Sequence, residues 1–239
     1  PLQLQALLNG VFTRLTQVIQ SQRGTIDKYM GDCVMAFWGA PVPSQDHATC
    51  AVQAAMGMAQ AVQQLNQEHR AQGLPEVGVG IGLNTGTMCV GDMGSDIRLS
   101  YTVIGDAVNL GSRLEGITKT YGVGVLVGPQ TKIAVPSMVF QELDAVKVKG
   151  KNEPVSIYAP LGVRDQLDTA VFKARESWNE VLKAFRTQHW QKARELLNTL
   201  EDGLIMNPTL RSLYNNRIDH FEQNPPPENW DGVTQFDTK

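Results

Sequence analysis

Leu4, Leu7, Leu8, Val11, Leu15, Val18 and Ile19 recur at three- and four-residue steps, which predicts an amphipathic helix at the start of the chain. Two strand-suited runs follow, Ile26, Tyr29 and Met30, then Val34, Met35, Ala36, Phe37 and Trp38, with Gly31-Asp32 as the turn between them. Ala51, Ala55, Met58, Val62 and Leu65 form the buried stripe of a long helix that Asp46 can cap and that runs to about Gln72, where Gly73 and Pro75 end it. From Val77 to Gly94 apolar residues alternate with glycine, as in a strand that another backbone or a ligand approaches closely. LSYTVIG, Leu99 to Gly105, returns as a second strand, and Asp106 to Tyr121 reads as a helix opening just after Gly105. VGVLVG, a short segment at 129–135 and strands near 138–143 and 154–159 complete the unit.

Strands and helices alternate here without a strict βα repeat. The pattern therefore predicts an α+β fold, a ferredoxin-like or palm-like sandwich with helices on one face of a mainly antiparallel sheet, covering residues 1–162. Beyond it, three amphipathic helical runs carry Phe172, Trp178, Val181, Leu182 and Phe185, then Trp190, Ala193, Leu196, Leu197 and Leu200, then Leu210, Leu213, Tyr214, Ile218 and Phe221. This helical tail, 163–224, has the look of one and a half tetratricopeptide-type units, which need a surface to cover them. Pro225 to Pro227 stop it, and an extended end, 225–239, holds the NWDG run at 229–232, to which no role is assigned.

Composition narrows the class. A hydrophobic content of 42% supports an ordinary globular core, and a net charge of −3 with both signs interspersed excludes a broad nucleic-acid-binding face. Cys33, Cys50 and Cys89 lack metal-ligand spacing and are expected as reduced thiols of a cytoplasmic domain. No run approaches the length of a membrane span. The abrupt start at Pro1, directly into a helical pattern, raises the expectation of residues upstream, where a sensory or membrane module has room.

Two places carry chemistry. Asp32 sits at a glycine-marked corner, where a carboxylate meets solvent or a ligand at little burial cost and supplies the hard oxygens that magnesium or manganese prefers. TVIGDAVNLGSRLE, Thr102 to Glu115, sets a strand end, a glycine and a helix start in series, with Asn109 and Arg113 at i and i+4 on one helical face. An amide suits a ribose, and a guanidinium fork suits phosphate oxygens. The plainer alternatives are a simple hairpin turn at Asp32 and a solvated Arg113 paired with Glu115.

GTIDKYMGD followed at a distance by TVIGDAVNLGSRLE, with a glycine-rich hairpin between them and KVKGK at 147–151 after them, resembles the class III nucleotidyl cyclase domain of adenylate and guanylate cyclases. The resemblance covers about Pro1 to Gly162, and the tail is similar to the C-terminal extension of bacterial members. It implies conversion of ATP or GTP into a 3′,5′-cyclic nucleotide and pyrophosphate with two Mg2+ or Mn2+ ions. Asp32 corresponds to the family's second metal-binding aspartate. Lys28 and Thr102 match the purine-selecting pair: Lys donates to a ring nitrogen and Thr accepts from the exocyclic amine, which fits adenine and an adenylate cyclase acting on ATP. Asn109 then positions the ribose, Arg113 stabilises charge at the reacting phosphate, and Lys149 reaches the terminal phosphates. Taken singly, Lys28 reads as a solvated strand lysine, Thr102 as a β-branched strand residue and Lys149 as part of an exposed basic run.

The family's first metal aspartate lies on a strand before the opening helix, so the resemblance places the partner of Asp32 upstream of Pro1. It also implies a head-to-tail homodimer with two composite sites and the hairpin at 86–104 as dimer arm. Competing expectations are a guanylate cyclase, a catalytically silent nucleotide-binding or dimerising signalling module, and a peptide-binding tail.

Overall fold

The computed structural model describes residues 2–148 and 153–236. The opening pattern folds as α1 (Leu2–Ser21), then β1 (Thr25–Met30) and β2 (Cys33–Phe37) form the expected hairpin. Gly31, with φ of 62°, supplies the left-handed residue that so tight a turn requires. α2 (His47–Ala71) buries Ala51, Ala55, Met58, Val62 and Leu65, the stripe read from the sequence. Asp46 is its N-cap residue, but its carboxylate makes no capping bond. Arg23 and Ser44 hold that carboxylate instead, and Ser44 first, then Arg23, draw it down to about 2.

β3 (Ile81–Leu83) is short, and β4 (Cys89–Ser95) pairs with β5 (Arg98–Ile104) as a separate hairpin. The alternating glycines have a physical cause in α3 (Asp106–Tyr121). A side chain at Gly82 would stand 2.1 Å from the Gly111 carbonyl oxygen, so only glycine lets this helix lie against β3. After α3 come β6 (Val125–Val127), α4 (Pro129–Ala134), β7 (Met138–Val148) and β8 (Val155–Val163). The helices α5 (Thr169–Arg186), α6 (Trp190–Thr199) and α7 (Pro208–Gln223) form the tail, and β9 (Thr234–Phe236) follows.

The central sheet has the order β3-β6-β8-β7-β9, and it is mixed where a mainly antiparallel sheet is expected. β3 with β6 and β7 with β9 are parallel, while β8 is antiparallel to both its neighbours. The helices also occupy two faces where the sequence reading has one. Val125, Val127, Met138 and Phe140 pack with α1 and α2, whereas Leu126, Val139, Leu143 and Ile157 pack with α3 and the tail helices. Side-chain alternation along each strand requires such a division once both faces are covered.

The tail shares that second core with the sheet. Trp178, Leu197, Leu210 and Tyr214 are fully buried in it, each contributing on the order of 1.5–3 kcal/mol by leaving water. Its polar atoms find partners on β7: Trp178 Nε1 donates to the Glu142 carbonyl at 2.6 Å, and Tyr214 Oη donates to the Leu143 carbonyl at 2.7 Å. Asp144, 1% exposed, accepts from Tyr121 Oη, Arg217 Nη1 and Thr234 Oγ1, and so joins α3, α7 and the terminal segment. Burial, then the Asp144 charge, pushes the Tyr121 phenol far up, which keeps it a donor.

The NWDG run thereby acquires a structural role. Trp230 lies 4.8 Å from Phe221 and 5.6 Å from Phe185, ring to ring, and delivers β9 to Val146 and Lys147 of β7. Among the described residues, no helix is long and apolar enough to cross a membrane.

Candidate functional site

The site starts from an irregularity in the first hairpin. Thr25 and Ile26 pair with Phe37 and Ala36, but Lys28 pairs with Met35, so Asp27 is an extra residue in β1. Such a bulge turns a side chain away from its strand's alternation. The Asp27 side chain is 1% exposed, and its Oδ2 accepts from Thr102 Oγ1 at 2.5 Å and from the Val103 amide at 3.4 Å. Lys28 Nζ stands 3.2 Å from Asp27 Oδ1. That oxygen accepts no aligned hydrogen bond, so the contact is ionic. Lys28 and Thr102, on separate hairpins, are thus brought together by a carboxylate that the sequence reading passed over. Its signal was available: an acidic residue inside a strand-suited run must be paired if the strand is buried.

A hydroxyl has one proton to give. With that proton committed to Asp27, Thr102 offers only lone pairs to a ligand, while the half-exposed Lys28 ammonium offers donors. The pair presents an acceptor beside a donor.

Asp32 is exposed at the tip of the same hairpin, as expected. Burial, then the charge of Asp32, raises the Glu115 carboxyl of α3. Burial, Glu115 and Asp32 in turn raise the Cys33 thiol. The corner therefore concentrates negative potential, and its carboxylate oxygens match the donor chemistry of magnesium or manganese. Among the described residues, no three His, Cys, Asp or Glu side chains converge as a cation site.

On α3, Asn109 is exposed and Arg113 is half-buried one turn later. Among the described residues, Arg113 Nη1 is buried without a hydrogen-bond partner and Arg113 makes no ion pair. The plain pairing with Glu115 is therefore not formed. A buried guanidinium nitrogen left unsatisfied is costly unless a ligand completes it. Asn84 Nδ2 donates to the Ala107 carbonyl and braces the first turn of this helix. Lys149 lies outside the described residues.

Around these groups the two hairpins expose an unusual amount of apolar surface. Tyr29 and Met30 on β1, Leu99, Tyr101 and Ile104 on β5, and Ile97 at the tip between β4 and β5 all face solvent.

Comparison with known proteins places this geometry in context. Residues 1–159 match the family model described as the adenylate and guanylate cyclase catalytic domain. Adenylate cyclase 1 of Rhizobium meliloti is 38% identical over 170 residues, and the adenylate cyclase of Anabaena cylindrica is 39% identical over 166 residues. These matches cover 71% and 66% of this chain but only 26% and 32% of those proteins. Among solved structures, the adenylyl cyclase CyaB of P. aeruginosa superposes with a TM-score of 0.64 at 34% identity, covering 70% of this chain and 87% of that one. The guanylyl cyclase Cya2 superposes with a TM-score of 0.62 at 34% identity, covering 68% and 82%.

Proposed function

The chain belongs to the adenylate and guanylate cyclase catalytic domain family, and from that premise we propose that it is an adenylate cyclase, converting ATP into 3′,5′-cyclic AMP and pyrophosphate at sites shared between two copies. The observation that carries the purine choice is the bond from Thr102 to Asp27. It leaves Thr102 an acceptor, suited to the amino group of adenine and mismatched to the guanine carbonyl at the same ring position. Lys28 supplies the donor that a ring nitrogen requires.

In the reaction the ribose 3′ oxygen bonds to the α-phosphorus, the bond from that phosphorus to the bridging oxygen breaks, and pyrophosphate leaves. Asn109 holds the ribose so that the attacking oxygen is in line, and Arg113 meets the charge that grows on the phosphate oxygens. The unpartnered Arg113 Nη1 supports that role, since a phosphate oxygen would satisfy it. Lys149 is assigned to the terminal phosphates by resemblance. A magnesium or manganese ion held at Asp32, and a second ion on the triphosphate, would supply Lewis acidity toward the 3′ hydroxyl and the leaving group. The exposed apolar residues of the two hairpins support a homodimer in which Asp32 of one copy faces Asn109 and Arg113 of the other.

The test is an assay of the catalytic domain within its intact protein, given ATP or GTP with magnesium or manganese and scored for cyclic product and pyrophosphate. Cyclic AMP is expected. Cyclic GMP as the main product would overturn the purine assignment, and ATP binding without pyrophosphate release would make the chain a silent signalling module.

A further inference from the structure

A pocket of about 460 Å3 lies where α4, β7 and β8 meet α5. None of Lys28, Asp32, Thr102, Asn109 and Arg113 lines it. Its volume is that of a small-molecule site.

Its charge is one-sided. Lys132, Arg164 and Arg175 line it, and none of the three makes an ion pair among the described residues. The one carboxylate on its wall, Glu142, is already occupied by Arg186 Nη2 at 2.7 Å. Arg175 is the least satisfied: among the described residues its Nε is buried without a partner, and its Nη1 reaches only the Phe140 carbonyl, at 3.4 Å. Lys132 and Arg164 are exposed and Arg175 is half-buried; like charges lining one cavity repel one another, and an anion between them relieves that repulsion while filling the vacant Arg175 Nε.

The rest of the wall mixes Asn179 with apolar residues. Ile133, 73% exposed, and the exposed Pro136 offer its apolar surface, while Met138, Phe140 and Tyr158 are almost wholly buried in the neighbouring core, and Lys132 Nζ lies 4.7 Å from the centre of the Tyr158 ring. An occupant therefore needs a charged end and an apolar body. We propose that this pocket binds an organic phosphate monoester, its phosphate taken by Lys132, Arg164 and Arg175 and its apolar group laid against Ile133 and Pro136. A dianionic head matches three uncompensated cations better than a single carboxylate, and planar guanidinium groups match phosphate oxygens in pairs. The occupant touches both α4 and α5, so binding stiffens the junction between catalytic domain and tail.

Phenyl phosphate is the probe, titrated calorimetrically into the full chain, with inorganic phosphate, benzoate and benzyl alcohol as the other arms. Saturable binding with Kd near or below about 1 mM is expected for phenyl phosphate, and at least about tenfold weaker binding for the other three. Arg175→Met and Lys132→Met should each weaken it about tenfold or more, with melting temperature and far-ultraviolet dichroism retained, while Arg113→Ala leaves it unchanged. Should Arg175→Met fail to fold, Lys132→Met carries the comparison. The proposal is overturned by absence of saturation up to about 10 mM, by unchanged affinity in the folded variants, by loss of binding in Arg113→Ala, or by equal binding of any other arm.

Discussion

Thr102 Oγ1 donates to Asp27 Oδ2 across 2.5 Å, joining β5 to a bulged residue of β1 that is distant in sequence but adjacent in space. That bond fixes the direction of the Thr102 proton, and with it the hydrogen-bonding character of the wall on which a purine would lie. Asp27→Asn replaces the obligate acceptor with a group that also donates, and frees the Thr102 hydroxyl to rotate. The ratio of kcat/KM for ATP to that for GTP should fall by roughly ten- to a hundredfold, the range expected when a polar wall stops discriminating. An unchanged ratio in a variant with wild-type melting temperature would show that Asp27 does not orient the site.

Arg113→Ala should lower kcat by about 10^2 to 10^3, on the order of 2.7–4 kcal/mol of transition-state stabilisation, with a much smaller change in KM. Steady-state kinetics separate the two. A rise in KM at constant kcat would make Arg113 a ground-state binding group only.

Composite sites predict complementation. Asp32→Ala and Asn109→Ala are each expected to be inactive, and an equal mixture should recover about a quarter of wild-type activity, because half the dimers are mixed and each has one intact site of two. An inactive mixture, with subunit exchange verified by mass spectrometry, removes the shared-site geometry.

The Glu115 carboxyl is raised, first by burial and then by Asp32, so the folded chain holds that proton more tightly than the unfolded chain. Its contribution to stability is complete below the ordinary glutamate value of 4.5 and is lost as pH rises through the folded value. Asp32→Asn should move the Glu115 titration, followed by carbon-13 NMR of the carboxyl, back toward 4.5 and narrow that window from above. An unmoved titration would dissociate the two carboxylates electrostatically.

Arg217→Met leaves Asp144 with its two hydroxyl donors but without its cation, at a position where the carboxylate side chain is 2% exposed. A loss of roughly 3–5 kcal/mol is expected in denaturant unfolding, as for other broken buried pairs. The double change Arg217→Met, Asp144→Leu should recover part of it, which a purely steric defect at Arg217 would not allow.

Local signals in the sequence located most elements. The helix Asp106–Tyr121 was legible end to end because Gly105 and Gly122 bracket it, and Gly122, at φ of 65°, takes the left-handed conformation that closes a helix. The turn at Gly31-Asp32 and the buried stripe of α2 were legible for the same reason: short-range geometry and periodicity leave their mark on neighbouring residues. Strand lengths were less so, since β7 extends to Val148 only where it gains a parallel partner in β9. The expected capping by Asp46 was lost to Arg23, a competitor from another part of the chain.

The sequence by itself determined the family motifs, the order of the elements and which residues could carry chemistry, because these depend on residue type and spacing. Tertiary structure alone decided that Asp27 joins Lys28 to Thr102, that Arg113 makes no ion pair among the described residues, and that the NWDG segment returns to the catalytic sheet. Each of those depends on which distant groups arrive within a few ångströms. Burial then makes the outcome binding, since a polar atom removed from water must find a partner, and only the folded chain specifies which one is there.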